Sequence, residues 1–203
     1  MKKYGGLLSD IRRRRKWISL GQWAYKYENL LKWQFRTDKP NVKWVTDISY
    51  IHTKEGVLYL SMIRDLYDNS IVAYKTATQQ TVNLVLDTIR LAMKHKKKGV
   101  VAELNLHSDQ GVQYTLQGYF NLTQSYGITP SMLRKGNPYD NAMAENFFSI
   151  LKTECIYRHK PKFFKEADDL IDGYIHLYNH EQIQRKTGVA QRQRHHSAPL
   201  KTQ

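Results

Sequence analysis

The chain has 203 residues, of which 32 are Lys or Arg and 18 are Asp or Glu, so its formal net charge is +14. This length predicts one domain with appendages, and a hydrophobic content of 41% excludes a disordered polyelectrolyte. The sequence contains one cysteine, which excludes a disulfide framework and a Cys-rich zinc site. Because we find neither a long apolar run nor a leader-like segment, we expect neither membrane spanning nor secretion.

The excess positive charge lies at the two ends of the chain. Residues 1–43 contain 12 Lys or Arg and 3 acids, and residues 181–203 contain 5 and 1. Basic flanks predict a nucleic-acid partner, because neutralising phosphates releases counterions. The alternative is a solvated basic surface. We expect a basic N-terminal arm over 1–40, a core over 41–180 and a basic tail over 181–203.

The first half of the core predicts three strands. Residues 44–52 alternate in polarity and are rich in β-branched and aromatic side chains, and similar segments follow at 57–65 and 71–77. Short turns containing Glu55-Gly56 and Asp68–Ser70 separate these segments. Adjacent strands joined by short turns predict an antiparallel meander.

Helical periodicity begins after the meander, and strands alternate with helices from there on. Apolar residues at helical spacing predict a helix from Val82 to Met93 and another from Ala167 to Tyr178. Further segments are predicted as a strand at 101–107, a helix at 117–126 ending at Gly127, a short strand at 128–132, and a polar loop at 134–141 that opens another helix. The chain is therefore predicted to be a mixed α/β domain.

Three acids occupy positions from which they could meet at one point. Asp47 lies in the first predicted strand, Asp109 follows the fourth, and Glu145 lies in the first turn of a predicted helix. Each acid taken alone is better explained by an ordinary hydrogen bond, a turn or a helix dipole. Carboxylates that converge require a cation between them, and hard divalent cations prefer oxygen ligands. Two such ions suit an in-line phosphoryl displacement.

The motifs around these acids resemble a known family. The segments W-x-T-D-I, H-S-D-Q-G-x-Q-Y and Y-D-N-A-M-A-E-x-F-F-x-x-L-K contain Asp47, Asp109 and Glu145, with 61 and 35 residues between successive acids. Order and spacing are similar to the Asp-Asp-Glu core of bacterial insertion-sequence transposases and to the retroviral integrase core. The resemblance extends over about residues 40–190, including Tyr178–Glu181, and is to the catalytic portion encoded by the second frame of two-frame transposases.

This resemblance implies a fold and an activity. The fold would be ribonuclease H-like, with a mixed five-stranded sheet flanked by helices and with the first and fourth strands adjacent. The activity would be metal-dependent phosphodiester cleavage and strand transfer at insertion-sequence ends, with Asp47, Asp109 and Glu145 holding two Mg²⁺ or Mn²⁺ ions. The implied partners are double-stranded DNA of the element ends and target and other copies of the chain. The expected location is the nucleoid in the bacterial cytoplasm.

Four further residues are candidates for DNA contact. Lys152 shares a helical stripe with Glu145 and matches a basic residue that the family uses to hold DNA, although a lysine at such a position could also be only solvated. Arg134, Lys135 and Asn141 in the loop before the helix are weaker candidates for phosphate contact.

Two other functions are compatible with the sequence. The chain could be a non-catalytic DNA-binding remnant of a transposase, or a ribonuclease H-like nuclease acting on RNA–DNA hybrids. A zinc site at His176 and His180 is disfavoured because no cysteine ligands accompany this pair. His107 is better explained as a core residue than as a metal ligand.

Overall fold

The computed structural model describes residues 25–94, 96, 103–133, 142–183 and 188–196, the last range without the side chains of 194–196. The described strands are β1 (Lys43–Thr53), β2 (Gly56–Asp65), β3 (Ile71–Ala77), β4 (Asn105–Ser108) and β5 (Thr129–Met132). The described helices are α1 (Val82–Met93), α2 (Val112–Thr115), α3 (Gln117–Tyr126), α4 (Ala142–Leu151), α5 (Tyr157–His159), α6 (Phe164–His180) and α7 (Gln191–His196). A π-helical segment, Lys152–Ile156, joins α4 to α5.

The described strands form one mixed sheet in the order β3-β2-β1-β4-β5. Strands β1, β2 and β3 pair antiparallel, which confirms the predicted meander, and β4 and β5 continue the sheet in parallel. Strand β4 is shorter than predicted, since it begins at Asn105, and the peptide N–H of Asn105 donates to the carbonyl of Val42 just before β1. Strand pairing, and not the apolar run, therefore sets where β4 starts.

Alternation along β1 divides the core between the two faces of the sheet. Trp44 and Ile48 point to the face covered by α1 and α3, whereas Val45 and Ile51 point to the face covered by α4 and α6. Both groups are closely packed, and Trp44, Val45 and Ile51 are buried. Since Asp47 has the parity of Val45 and Ile51, this alternation assigns it to the α4 face.

The predicted helical stripes match the buried faces, with one local difference. In α4 the buried residues are Ala144, Phe147, Phe148 and Leu151, on the side opposite Glu145. The helix then widens into the π segment at Lys152, which lets the consecutive residues Cys155 and Ile156 both face the core. No described helix combines the length and the apolar character that a membrane crossing requires.

The described part of the N-terminal segment packs onto the core. Leu31 is 1% exposed and belongs to the cluster on the α4 face. The ring of Tyr25 stacks on Phe120 with a centroid separation of 4.3 Å, and the peptide N–H of Met132 donates to the carbonyl of Glu28. Residues 25–30 thus run against α3 and β5, whereas Leu31 and Phe35 pack on the α4 face. The more basic residues before Tyr25 lie outside the described range.

Candidate active site

Two of the candidate acids lie at the same level of the sheet. Strand β1 pairs with β4 through Lys43 with Asn105, Trp44 with Leu106 and Val45 with His107. If this register is continued, Asp47 is level with Asp109, which follows the last residue of β4. Asp109 thus lies just beyond the carboxyl end of β4, beside the middle of β1, and the carboxyl ends of strands are the usual place for ligand-binding residues in α/β folds. The adjacency of the first and fourth strands is the convergence that the sequence left open.

A buried tyrosine lies within electrostatic reach of both acids. Tyr114 is 1% exposed, and its hydroxyl lies 3.5 Å from the hydroxyl of Thr46. Burial raises the pKa of Tyr114 well above its usual value, and the charges of Asp47 and Asp109 raise it further. The two carboxylates therefore act on the same buried phenol.

Asp109 is held tightly by the turn that follows β4. Its Oδ1 accepts a hydrogen bond of 2.9 Å from the peptide N–H of Gly111. A Cβ on Gly111 would lie 2.8 Å from the same oxygen, so a glycine is required for this close approach. Burial raises the pKa of Asp109, and the hydrogen bond from Gly111 opposes that shift. A desolvated carboxylate of this kind is stabilised by a cation.

Glu145 and Lys152 share a cavity with Asp47. The cavity has a volume of about 470 Å³ and lies between the middle of β1 and helix α4 with the π segment that follows it. Its lining includes Asp47, Glu145, Ser149 and Lys152. Glu145 is exposed in the first turn of α4. The ammonium of Lys152 lies 4.5 Å from the centroid of the Tyr50 ring. Burial lowers the pKa of Lys152, and the charge of Asp47 raises it.

A buried arginine anchors the helix that carries Glu145. Arg64 of β2 is 4% exposed, and its Nη1 donates to the carbonyl of Met143 at 2.5 Å, in the first turn of α4. Its Nη2 donates to the Tyr178 hydroxyl and its Nε to the carbonyl of Asn69. Sequence reasoning missed this residue, although an arginine inside an apolar strand is itself a signal that it makes internal hydrogen bonds.

The described residues meet the chemistry of a divalent-cation site only in part. They provide carboxylate oxygens, the ligands that Mg²⁺ and Mn²⁺ prefer. Within the described ranges, however, no three His, Cys, Asp or Glu side chains are grouped closely enough to hold a metal ion. Asp47 is the common member, since the continued register of β1 and β4 places it level with Asp109 and it shares a cavity with Glu145. Arg134, Lys135 and Asn141 lie outside the described residues.

His107 is a core residue, whereas His176 and His180 lie next to each other on α6. His107 is fully buried, and its Nδ1 lies 2.9 Å from the Ser131 hydroxyl on β5, as expected of a core residue. The rings of His176 and His180 lie 4.8 Å apart on α6. Cys155 is buried with a free thiol, and burial raises its pKa.

Two family models match the chain. Both are described as integrase core domain, and they match residues 37–138 and 126–185. An uncharacterized transposase-like protein of Haemophilus influenzae is 42% identical over 82% of this chain, which spans 76% of that protein. The transposase for insertion sequence element IS904 of Lactococcus lactis is 38% identical over 74% of this chain, which spans 58% of that protein.

Retroviral integrases are among the solved structures with the same fold. The intasome of simian T-cell lymphotropic virus, in complex with a PP2A regulatory subunit, gives a TM-score of 0.69 at 20% identity, over 87% of this chain and 61% of that one. The HTLV-2 integrase catalytic core domain in complex with magnesium gives 0.62 at 16% identity, over 78% of this chain and 98% of that one. The ribonuclease H-like fold predicted from the motifs is confirmed.

Proposed function

The chain belongs to the integrase core domain family, and from this membership we propose that it is the catalytic core of an insertion-sequence transposase. Its reaction would be metal-dependent cleavage of a phosphodiester at the element end, followed by transfer of the strand to target DNA. The observation that carries the proposal is the placement of Asp47, level with Asp109 on the neighbouring strand and in one cavity with Glu145.

We assign the three acids to a divalent-cation site. Asp47 would be shared between two Mg²⁺ or Mn²⁺ ions, with Asp109 completing one site and Glu145 the other. Ions bound there would lower the pKa of the attacking water and neutralise charge on the phosphate. The peptide N–H of Gly111 keeps the Asp109 carboxylate in a fixed orientation. Burial of Asp109 favours occupancy, because a cation offsets the cost of desolvating the carboxylate.

Lys152 would hold the DNA next to these acids. Its ammonium is within the electrostatic reach of Asp47 and lines the cavity shared with Glu145. A phosphate placed between Lys152 and the cations would be neutralised from two sides. The stacking of Lys152 on Tyr50 restricts the side chain before DNA arrives, so less conformational entropy is lost on binding.

The basic ends of the chain would supply further DNA affinity. We propose that the 1–40 arm and the 181–203 tail bind duplex phosphates, whereas the 41–180 core carries the chemistry. Arg134, Lys135 and Asn141 would contact phosphates from the loop before α4. The chain would act as a homo-oligomer on element ends and target DNA, associated with the nucleoid in a bacterial cytoplasm.

The test is a strand-transfer assay with Mg²⁺ or Mn²⁺ on the DNA ends that flank the coding region. Transfer into a plasmid target that disappears with a chelator supports the proposal. Cleavage confined to RNA–DNA hybrids would identify a nuclease, and DNA binding without cleavage would identify an inactive remnant. The relatives named as transposases do not favour either alternative.

A further inference from the structure

A second cleft opens beside the cavity of the acids. It lies between the last residues of β1 and the chain from Lys152 to Lys162, and its volume is about 560 Å³. We call it the lysine groove, because Lys54, Lys152, Lys160 and Lys162 line it. The groove is within the range of about 300–1,000 Å³ that encloses small ligands.

The charge of the groove is one-sided. Besides the four lysines it is lined by His52, and no Asp or Glu is among its described lining residues. Two acids near its ends accept backbone hydrogen bonds, Glu55 from the peptide N–H of Phe164 and Glu166 from that of Lys162, and Asp47 lies within electrostatic reach of Lys152 on the side of the acid cavity. A cleft with four like charges concentrates anions and destabilises the empty chain by repulsion, which points to an anionic ligand.

The walls of the groove are fixed. The peptide N–H of Lys54 donates to the carbonyl of Lys162 at 2.9 Å, which ties the β1–β2 turn to the chain before α6. The peptide N–H of Lys160 donates to the carbonyl of Ile156 at 2.8 Å, and Pro161 is buried. The lysine heads are therefore presented by a preorganised frame, which reduces the entropy lost when a ligand binds.

Two aromatic side chains lie in the same groove. Tyr50 is 53% exposed, with the Lys152 ammonium over one face of its ring, and Tyr157 is 62% exposed. Exposed aromatic faces between lysines are typical of surfaces on which single-stranded nucleic acid stacks its bases and pairs its phosphates. In a duplex the bases are already stacked, so such faces would have no partner.

The groove is continuous with the candidate active site. Tyr50, Lys152 and Tyr157 line both the lysine groove and the cavity that contains Asp47 and Glu145. A strand whose phosphate lies at the acids can therefore pass over Lys152 directly into the groove. Lys152 marks the boundary between the two, and it begins the π-helical segment, a distortion that is frequent at functional sites.

We propose that the lysine groove binds the single-stranded DNA flank next to the scissile phosphate, with bases on Tyr50 and Tyr157 and phosphates at Lys54 and Lys160. The location beside a scissile phosphate rests on the proposed function. Binding of single-stranded DNA by the groove does not, since it depends only on the lysines and tyrosines.

The test compares two DNA probes on the full chain in EDTA, where cleavage does not occur. One probe is a blunt fluorescein-labelled duplex, and the other is the same duplex with a five-nucleotide thymidine flank. The flanked probe should bind about fivefold more tightly or better, since one stacked base contributes at least that much. The basic ends of the chain contribute equally to both probes and cancel in the ratio.

The double variant Lys54→Gln/Lys160→Gln should remove this preference. Both residues contribute only backbone hydrogen bonds to the fold. Lys160 has a φ of 50°, and since Gln is as strained there as Lys, the substitution does not change the backbone strain. The matched control Lys75→Gln/Lys94→Gln removes the same charge from a cleft lined also by Asp87 and Arg90, and it should retain the preference. Equal binding of both probes by the parent chain, or equal losses in the two variants, would overturn the proposal.

A crosslink locates the flank directly. With 5-iododeoxyuridine in the flank, irradiation should attach it to a peptide containing Tyr50 or Tyr157, and attachment only elsewhere would overturn the proposal. Flank binding without any strand transfer in Mg²⁺ would support the groove while contradicting the proposed function. Strand transfer by a chain that shows no flank preference would support the function while contradicting the groove.

Discussion

The acids of the candidate site are positioned by two different kinds of structure. Asp47 lies in β1 and Asp109 directly follows β4, so the backbone pairing of these two strands determines where the two acids lie relative to each other. Glu145 lies on α4, which reaches the sheet through packed side chains and the hydrogen bond from Arg64 to Met143. The comparison shows that one half of the site is set by main-chain hydrogen bonds and the other half by side-chain contacts, so they should respond differently to mutation.

The largest expected effect comes from the acids themselves. Asp47→Asn, Asp109→Asn and Glu145→Gln should each reduce strand cleavage by more than about 100-fold, because even the outer partners of metal ligands are worth about 10–100-fold. DNA affinity in EDTA should remain close to that of the parent chain, since each change touches few phosphates. A variant that cleaves at the parental rate would remove its residue from the site.

The second largest effect should be a loss of stability when Arg64, which anchors α4, is replaced. Arg64→Met should lower the free energy of unfolding by about 3 kcal/mol, because three acceptors inside the protein lose a charged donor. Arg90→Met is the matched control, since Arg90 forms a surface ion pair with Asp87 and should change stability by no more than about 0.5 kcal/mol. Denaturant unfolding measures both, and equal changes would show that Arg64 does not anchor α4.

A smaller effect on the strand half of the site should follow from Gly111→Ala. The added methyl would move the Asp109 carboxylate, and cleavage should fall about tenfold or more while the fold is retained. Gly173→Ala is a control, because no neighbouring atom lies within 4 Å of a Cβ there. Unchanged cleavage by the Gly111 variant would mean that the carboxylate tolerates displacement.

Lys152→Ala should weaken DNA binding several-fold and reduce the slope of log affinity against log salt by about 0.9, the value for one duplex phosphate. Titrations of a blunt duplex at several salt concentrations measure the slope. A slope equal to that of the parent chain, together with parental cleavage, would return Lys152 to the role of a solvated surface residue.

The smallest effect concerns stability without metal. Because burial raises the pKa of Asp109 in the folded chain, the unfolded chain binds fewer protons, and stability falls as the pH rises through this raised value. Asp109→Asn removes that cost, so in EDTA its Tm should exceed that of the parent chain by a few degrees at pH 7. The difference should narrow as the pH falls below the raised pKa of Asp109, because the parental carboxyl is then protonated. Scanning calorimetry at both pH values tests the sign.

Divalent cations provide the complementary measurement. Adding Mg²⁺ at pH 7 should raise the Tm of the parent chain, because a ligand that binds only the folded state stabilises it. Asp109→Asn should respond less, since one ligand charge is missing. An equal response in both chains would place the cation elsewhere.

The sequence by itself determined the local elements and the three acids. Periodicity predicted β1, β2, β3, α1, α3 and α6 close to their observed bounds, because side-chain patterns report which face of an element is buried. The motifs around Asp47, Asp109 and Glu145 indicated the family, which the relatives confirm. Their assignment as metal ligands stays a prediction.

Only the tertiary structure decided the contacts between distant segments. The start of β4 depends on pairing with β1, and the π segment at Lys152 depends on how α4 packs on the sheet. An arginine inside an apolar strand signals internal hydrogen bonds, but neither the partner of Arg64 on α4 nor the lysine groove has a local sequence signature, because each joins residues far apart in the chain. Local patterns report burial, whereas the partner of a buried or clustered charge is set by which elements the fold brings together.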